Sequence, residues 1–192
     1  MVHDVRMASS RREGKSVDEF LNPKRRVFLV HGRDDRTRQA MVAFLNALDL
    51  RVVTWSEAVQ HTGLGTPYTG DVVIAGMELS DVVVVLLTPD DEGRIREAFL
   101  EPRDGTEERD LTGQPRMNVI FEAGIAMGRE RSKTILVEVG AVRPMSDAEG
   151  LNVVRLKHGS SKARHSLAKR LSAAGLAVDT NSGEWLSAGD FA

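Results

Sequence analysis

The chain of 192 residues is 41% hydrophobic and 28% charged, a composition that suits one domain of ordinary size with a buried core and short polar extensions. Its 26 basic and 28 acidic residues give a formal net charge of −2, which excludes a global positive field that would hold nucleic acid or an anionic membrane. It contains no cysteine, which excludes disulfides, cysteine nucleophiles and thiolate zinc sites and favours a reducing cytoplasm.

The first part of the chain predicts a polar segment followed by two strands. Residues 1–24 are charged and aperiodic, and we interpret them as a linker or the remnant of an upstream region. The apolar run 27–30 predicts a buried parallel strand, and an amphipathic helix follows it. Residues 51–54 predict a second strand. Glycine and threonine are frequent in residues 55–69, which we expect to form a long loop.

The middle of the chain contains the clearest strand. A helix is expected over residues 70–80, and the six consecutive aliphatic residues 82–87 predict a central strand covered on both faces. Residues 92–113 are charged and aperiodic, which is typical of an insertion. A helix over residues 114–129 follows this insertion.

The last elements complete an alternating pattern within one domain at residues 25–178. Strands are expected at 134–139 and 153–156, and the final helix ends at Gly175. Residues 179–192 are interpreted as a tail whose large apolar side chains could dock on the domain. The alternation predicts an α/β flavodoxin-like fold, with a doubly wound five-stranded parallel sheet of order 2-1-3-4-5 and helices on both faces.

The predicted helix over residues 114–129 carries the first candidate for catalysis. It is apolar almost all the way round, so we expect it to be buried, and Asn118, Glu122 and Arg129 share one narrow wedge. A carboxylate on a buried helix has either a partner or a function. Glu122 is therefore a candidate active-site acid. The alternative is that the wedge is the solvent-facing side of a mostly covered helix.

Two turns supply the candidate binding residues, because ligands of such sheets bind at the switch point between strands 1 and 3. His31, Arg33 and Asp34 follow strand 1 and could hold a phosphate or a ribose. Asp90 and Asp91 follow strand 3 and could accept hydrogen bonds from ribose hydroxyls. The alternative is that these residues only cap helices and form turns.

Several common chemistries lack their motifs in this chain. The loop Gly63-Leu64-Gly65-Thr66 has no Walker lysine, and it neither completes the dinucleotide fingerprint nor follows strand 1. No Gly-x-Ser-x-Gly elbow of a serine hydrolase occurs. The five histidines show no ligand spacing, so we expect no metal site.

Three ordered motifs resemble a known family. VFLVHGRDD at 27–35, VVVVLLTPDDEG at 82–93 and RMNVIFEAGIAMGR at 116–129 look like the bacterial TIR-like proteins described as predicted nucleotide-binding proteins. This family also provides TIR effectors of cyclic-nucleotide antiphage systems. The resemblance implies a flavodoxin-like TIR fold and, in active members, cleavage of NAD between ribose and nicotinamide. NAD is then the substrate, and no separate cofactor is expected.

The resemblance assigns Glu122 as the catalytic glutamate and keeps Asn118 as a supporting residue. It implies that two turns line the nucleotide cleft, through His31, Gly32, Arg33 and Asp34 after strand 1 and Thr88, Asp90 and Asp91 after strand 3. The segment from Trp55 to Thr69 occupies the place of the TIR BB loop, which mediates self-association and gates the site. The chain departs from the family in its long insertion 92–113.

The partners expected from the resemblance are NAD, further copies of the chain, and an upstream sensing domain or cyclic-nucleotide sensor. No nucleic acid or membrane partner is expected. The longest apolar runs are shorter than the roughly 20 residues that cross a bilayer, and we expect a soluble cytoplasmic protein without a signal peptide. Two alternatives remain open: a nucleoside 2-deoxyribosyltransferase-like enzyme, and a non-catalytic TIR module that binds nucleotide or another TIR domain.

Overall fold

A five-stranded parallel sheet forms the centre of the protein. The computed structural model describes residues 23–145, 150–157 and 160–191. The sheet order is β2-β1-β3-β6-β7, in which β6 and β7 are the fourth and fifth strands of the sheet along the chain. It confirms the predicted order 2-1-3-4-5 and the α/β flavodoxin-like class. Its strands are β1 (Arg26–Val30), β2 (Arg51–Val52), β3 (Val82–Leu87), β6 (Thr134–Val139) and β7 (Val154–Leu156), whereas β4 (Asp91–Gly93) and β5 (Thr112–Gln114) form a separate antiparallel pair.

Helices cover both faces of this sheet. They are α1 (Asp35–Ala47), α2 (Trp55–His61), α3 (Thr69–Leu79), α4 (Thr106–Arg109), α5 (Met117–Glu130) and α6 (Ser161–Ala173), with short 3-10 helices at Glu97–Phe99, Arg131–Lys133 and Glu184–Leu186. None of the helices within the described ranges combines the length and the apolar character needed to cross a membrane.

Strand β3 is the centre of the core, and all six of its residues are buried. Parallel ladders with β1 on one side and β6 on the other satisfy its backbone. Because successive side chains point to opposite faces, Val82, Val84 and Leu86 pack with α1 and α6. Val83, Val85 and Leu87 pack with α3 and α5. The continuous aliphatic run in the sequence therefore reflects burial on both sides.

The expected loop over residues 55–69 is wrong in its first half, where α2 forms. Thr54 is the N-cap of this helix, and its hydroxyl accepts a hydrogen bond from the Glu57 N–H at 3.2 Å. The Glu57 carboxylate accepts the Thr54 N–H in return at 2.8 Å. This reciprocal capping box is encoded in the Thr-x-x-Glu spacing, which outweighs the glycine and threonine content further along.

The insertion expected at residues 92–113 is closed at its base by a short ladder. Asp91 pairs with Gln114 and Gly93 with Thr112 across β4 and β5. These pairs hold the two ends of the insertion together, so α5 begins beside the turn that ends β3.

The expectation that the helix over residues 114–129 is covered on nearly every side is wrong. Only Val119 and Ala126 of α5 are buried. Met117 and Phe121 are 71% and 70% exposed, and Ile120 is also exposed. The helix lies at the surface of the sheet, so a single stripe of its residues meets β1 and β3 while the opposite apolar face meets solvent.

The segment predicted as a tail contributes two residues to the core. Trp185 and Phe191 are buried, and each packs edge-to-face against Phe44 of α1, with ring centroids 6.4 and 6.3 Å apart. The guanidinium of Arg164 lies over the Phe44 and Phe191 rings at 5.6 and 5.0 Å.

Arg164 also fixes the backbone of this segment. Its buried guanidinium donates hydrogen bonds to the carbonyl oxygens of Trp185, at 3.1 Å, of Ala188, and of Gly189, at 2.5 Å. A guanidinium offers several donors in a fixed plane, so one side chain can hold three carbonyls of this segment.

We predict that Arg164→Ala lowers the free energy of unfolding by roughly 3 kcal/mol, because three carbonyls lose a charged donor and two aromatic rings lose their packing partner. Urea denaturation measures this change. Lys169→Ala on the exposed side of the same helix is the control and should change stability by less than about 0.5 kcal/mol. Equal stabilities of the Arg164 and Lys169 variants would contradict the role given to Arg164.

Candidate functional site

The seating of α5 turns Glu122 toward the sheet. Val119 and Ala126 pack into the apolar cluster that contains Phe28 and Val83. At about 100° per residue, Glu122 lies about 60° from Val119 and about 40° from Ala126 around the helix axis. Glu122 therefore lies at the edge of the buried face, since exposed Asn118 is about 40° away on its other side. Asn118 and Arg129 of the same wedge are exposed, so the wedge borders solvent on one side and the cavity on the other.

Glu122 lines a cavity of about 620 Å³ at the carboxyl ends of β1 and β2. Its walls come from both strands and from α1, α3 and α5, and most of them are apolar. The polar groups that share the cavity with Glu122 are His31, Arg38, Asn46, Arg51 and Thr54. A mostly apolar cavity of this volume with a few convergent polar groups is typical of a small-molecule site.

The Glu122 carboxylate is half-buried without a compensating charge. Burial raises the pKa of Glu122 above its ordinary value of 4.5, and no hydrogen bond or ion pair to this carboxylate occurs within the described part of the chain. A carboxyl group with such a pKa in a cleft is a candidate for function.

The two arginines of the cavity are already paired with other carboxylates. Arg38 lies 2.6 Å from Asp35 on the same helix, and Arg51 lies 2.6 Å from Glu57 of α2. These pairs use the positive charges that could otherwise neutralise Glu122. The cavity therefore holds one carboxyl group without a paired cation, and this group favours a cationic ligand group when it is ionised.

The turns after β1 and β3 meet at a shared carboxylate. Asp90 accepts a hydrogen bond from the Arg33 backbone N–H, and its own N–H donates to the Thr88 carbonyl at 2.9 Å. A Cβ atom at Gly32 would collide with the Asp90 carboxylate, so this approach requires glycine. Thr88 is buried at the end of β3. The predicted binding residues Gly32, Arg33, Thr88 and Asp90 thus lie together.

Two predicted binding aspartates have structural partners. Asp34 caps α1, with its carboxylate accepting the Thr37 N–H at 3.0 Å and the Thr37 hydroxyl at 2.5 Å. Burial alone would raise the pKa of Asp34, but these bonds and Arg36 outweigh burial and lower it. Asp91 lies 3.9 Å from Arg116, the N-cap of α5.

The site residues divide between the cavity and its surroundings. His31 and Glu122 line the cavity together, whereas the other predicted binding residues are not part of its wall. Asn118 is exposed one turn before Glu122. The ligand was expected between the first and third strands, but the cavity lies over β1 and β2.

Sequence reasoning missed Trp55, the first residue of α2, which lines the cavity and is half exposed. The available signal was its position directly after the second strand, because the carboxyl ends of parallel strands share one edge. The described ranges contain no group of three or more histidine, aspartate or glutamate side chains placed to hold a metal ion.

Comparisons with known proteins place these observations in a family context. The family model described as "CAP12/Pycsar effector protein, TIR domain" matches residues 26–158. The "Uncharacterized protein YuaY" of Escherichia coli (strain K12) is 29% identical over 168 residues, which cover 83% of this chain and 49% of that protein. The chain therefore spans about half the length of this curated relative.

We predict that Glu122→Gln stabilises the fold at pH 8. The pKa of Glu122 is raised in the folded state, so the folded protein holds this proton more tightly than the unfolded chain. The destabilisation by the ionised carboxylate is therefore absent below pH 4.5 and grows as the pH rises through the folded-state pKa. Urea denaturation of both proteins from pH 4 to pH 8 measures the difference, which should increase with pH.

Glu130→Gln is the matched control for this experiment. Glu130 ends the same helix, is exposed, and pairs with Lys133 at 3.0 Å. Its removal should give no stabilisation that grows with pH. A Glu122→Gln protein that is less stable than the parent at pH 8 would contradict an uncompensated carboxylate.

Proposed function

This chain belongs to the family of TIR domains of CAP12/Pycsar effector proteins, and from that membership we propose that it cleaves NAD between ribose and nicotinamide, with Glu122 as the catalytic carboxylate. The observation that supports this function is the half-buried, unpaired Glu122 in a cavity of about 620 Å³. NAD suits this site because its nicotinamide ring carries a positive charge, and no cation of the described chain is paired with Glu122.

The chemistry requires an anion beside the reacting ribose. As the glycosidic bond breaks, its electron pair moves to the pyridinium nitrogen and nicotinamide leaves as a neutral molecule. The ribose carbon acquires oxocarbenium character, which the ionised Glu122 carboxylate stabilises. Water then adds to this carbon and releases a proton, so the products are nicotinamide and ADP-ribose.

The turns beside the cavity are proposed to hold the rest of the nucleotide. His31 joins the cavity wall to the turn after β1. In this arrangement His31, Gly32, Arg33 and Asp34 border one side of the nucleotide, and Thr88, Asp90, Asp91 and Asn118 border the other. The exposed Arg33 side chain is the group suited to a phosphate.

We predict that Glu122→Gln lowers nicotinamide release from NAD at least about 100-fold, because an amide cannot stabilise the ribosyl cation as an anion does. Concentrated protein is incubated with NAD, and free nicotinamide is measured by chromatography. The activity of the parent protein should fall as the pH decreases through a pKa above 4.5, since only the ionised carboxylate acts.

Glu130→Gln again provides the control, because it removes a carboxylate from the same helix without touching the cavity. It should retain the parent activity. Nicotinamide release that survives in the Glu122→Gln protein would exclude Glu122 as the catalyst. Release of a free base from a deoxynucleoside, with NAD left intact, would instead indicate a deoxyribosyltransferase.

We also propose that the protein acts in antiphage defence as an effector that is activated by self-association. The segment 55–69 supports this proposal, because its residues Leu64 and Tyr68 are 53% and 84% exposed. Exposed apolar side chains grouped on one short segment are typical of an interaction surface.

The combined substitution of Leu64→Ser and Tyr68→Ser should reduce both the oligomer size and the NAD cleavage, because it removes apolar contacts between copies. Light scattering after size-exclusion chromatography measures size at the concentration of the activity assay. Leu111→Ser, which removes another exposed leucine in the insertion, is the control. Unchanged size and activity in the double variant would refute the role of this segment.

A further inference from the structure

Trp55 is a large aromatic side chain that stays half exposed in the wall of the Glu122 cavity. The chain has two tryptophans, and the other, Trp185, is 4% exposed and packs against Phe44. An indole ring left in water forgoes the hydrophobic stabilisation that burial provides. Its position at the cavity makes this surface available to a ligand.

The backbone on both sides of Trp55 is held before any ligand arrives. Thr54 and Glu57 form the capping box that begins α2, and the Glu57 carboxylate also accepts a hydrogen bond from Arg51 at 2.6 Å. The bonds from the Thr54 backbone, from Arg51 and from the Thr54 hydroxyl lower the pKa of Glu57 to about 2. Trp55 therefore sits on a preorganised turn, which reduces the entropy lost when a ring binds.

The charges around Trp55 favour a cationic ring over a neutral one. Arg51 is paired with Glu57 and Arg38 with Asp35, so neither arginine opposes a positive ligand at full strength. The Glu122 carboxyl group lines the same cavity and adds a negative charge when it is ionised. The face of an indole is the aromatic surface that attracts cations most strongly.

We propose that Trp55 stacks on the pyridinium ring of the substrate, so that the cavity selects oxidised over reduced nicotinamide nucleotides. This inference rests on the proposed function, since it takes the ring next to the ribose at Glu122 to be nicotinamide. The ring is cationic in the intact substrate and neutral after the bond breaks. Trp55 therefore holds the substrate more strongly than the nicotinamide product.

Trp55 is expected to affect the binding of NAD more than the chemical step. The positive charge leaves the ring as the glycosidic bond breaks, so the cation–π attraction is strongest in the ground state. Trp55→Ala should raise KM for NAD about 10-fold or more and should leave kcat within about threefold. The Trp55→Phe protein retains an aromatic face, so its KM for NAD should lie between those of the parent and the Trp55→Ala protein.

The test uses binding, which does not depend on cleavage. In the Glu122→Gln protein, calorimetry measures the affinities for oxidised nicotinamide mononucleotide, its reduced form and adenosine monophosphate. We expect the oxidised form to bind roughly 10-fold more tightly than the reduced form. Adding Trp55→Ala to the Glu122→Gln protein should weaken binding of the oxidised form and remove this preference. Neither of these two proteins carries the charge of Glu122, so any difference between them is due to Trp55.

Phe99→Ala is the matched control, because it removes an exposed aromatic ring that does not line the cavity. It should leave all three affinities unchanged. Intrinsic fluorescence gives a second readout: oxidised mononucleotide should quench the protein with both tryptophans. The Trp55→Phe protein, which retains the buried Trp185, should show no quenching.

The outcomes separate this inference from the proposed function. A protein that does not cleave NAD but shows the Trp55-dependent preference would refute the function and retain the inference. Glu122-dependent cleavage with affinities unchanged by Trp55→Ala would retain the function and overturn the inference. A Trp55-dependent affinity for adenosine monophosphate that equals that for the oxidised mononucleotide would also overturn it, because Trp55 would then hold either ring.

Discussion

The contact of Val119 and Ala126 with the sheet fixes the rotation of α5, and the candidate site depends on that rotation. Rotation of α5 by about half a turn around its axis would place an apolar side chain at the cavity and Glu122 in solvent. The price of the observed rotation is an apolar outer face, where Met117 and Phe121 remain exposed. The observed orientation of α5 therefore does not bury most of its apolar surface.

Under the proposed function, catalysis and stability place opposite demands on Glu122. A lysine or arginine beside the carboxylate would lower its pKa and stabilise the fold, but it would also compete with the proposed cationic substrate. The structure keeps both nearby arginines on other partners, Asp35 and Glu57. An unpaired carboxylate is least unfavourable when the ligand itself supplies the opposite charge.

The two faces of the sheet are completed differently. On the side of α1 and α6, Arg164 gathers the last segment of the chain, and Trp185 and Phe191 close the core over Phe44. The cavity lies beside the edge strand β2, and its wall includes residues of α1 as well as of α3 and α5. The packed core on the side of α1 therefore holds one of the helices that form the cavity wall.

The sequence by itself determined the strand order, the central position of residues 82–87 and the choice of Glu122, because these depend on local apolar patterning and on ordered motifs. The sequence also contained the capping box at Thr54 and Glu57, although the glycine and threonine content of residues 55–69 led us to predict a loop there. Only the tertiary structure decided which side of α5 faces the sheet, that Trp55 shares a cavity with Glu122, and that Trp185 enters the core. Those outcomes depend on contacts between residues far apart in the chain, which periodicity along one helix cannot specify.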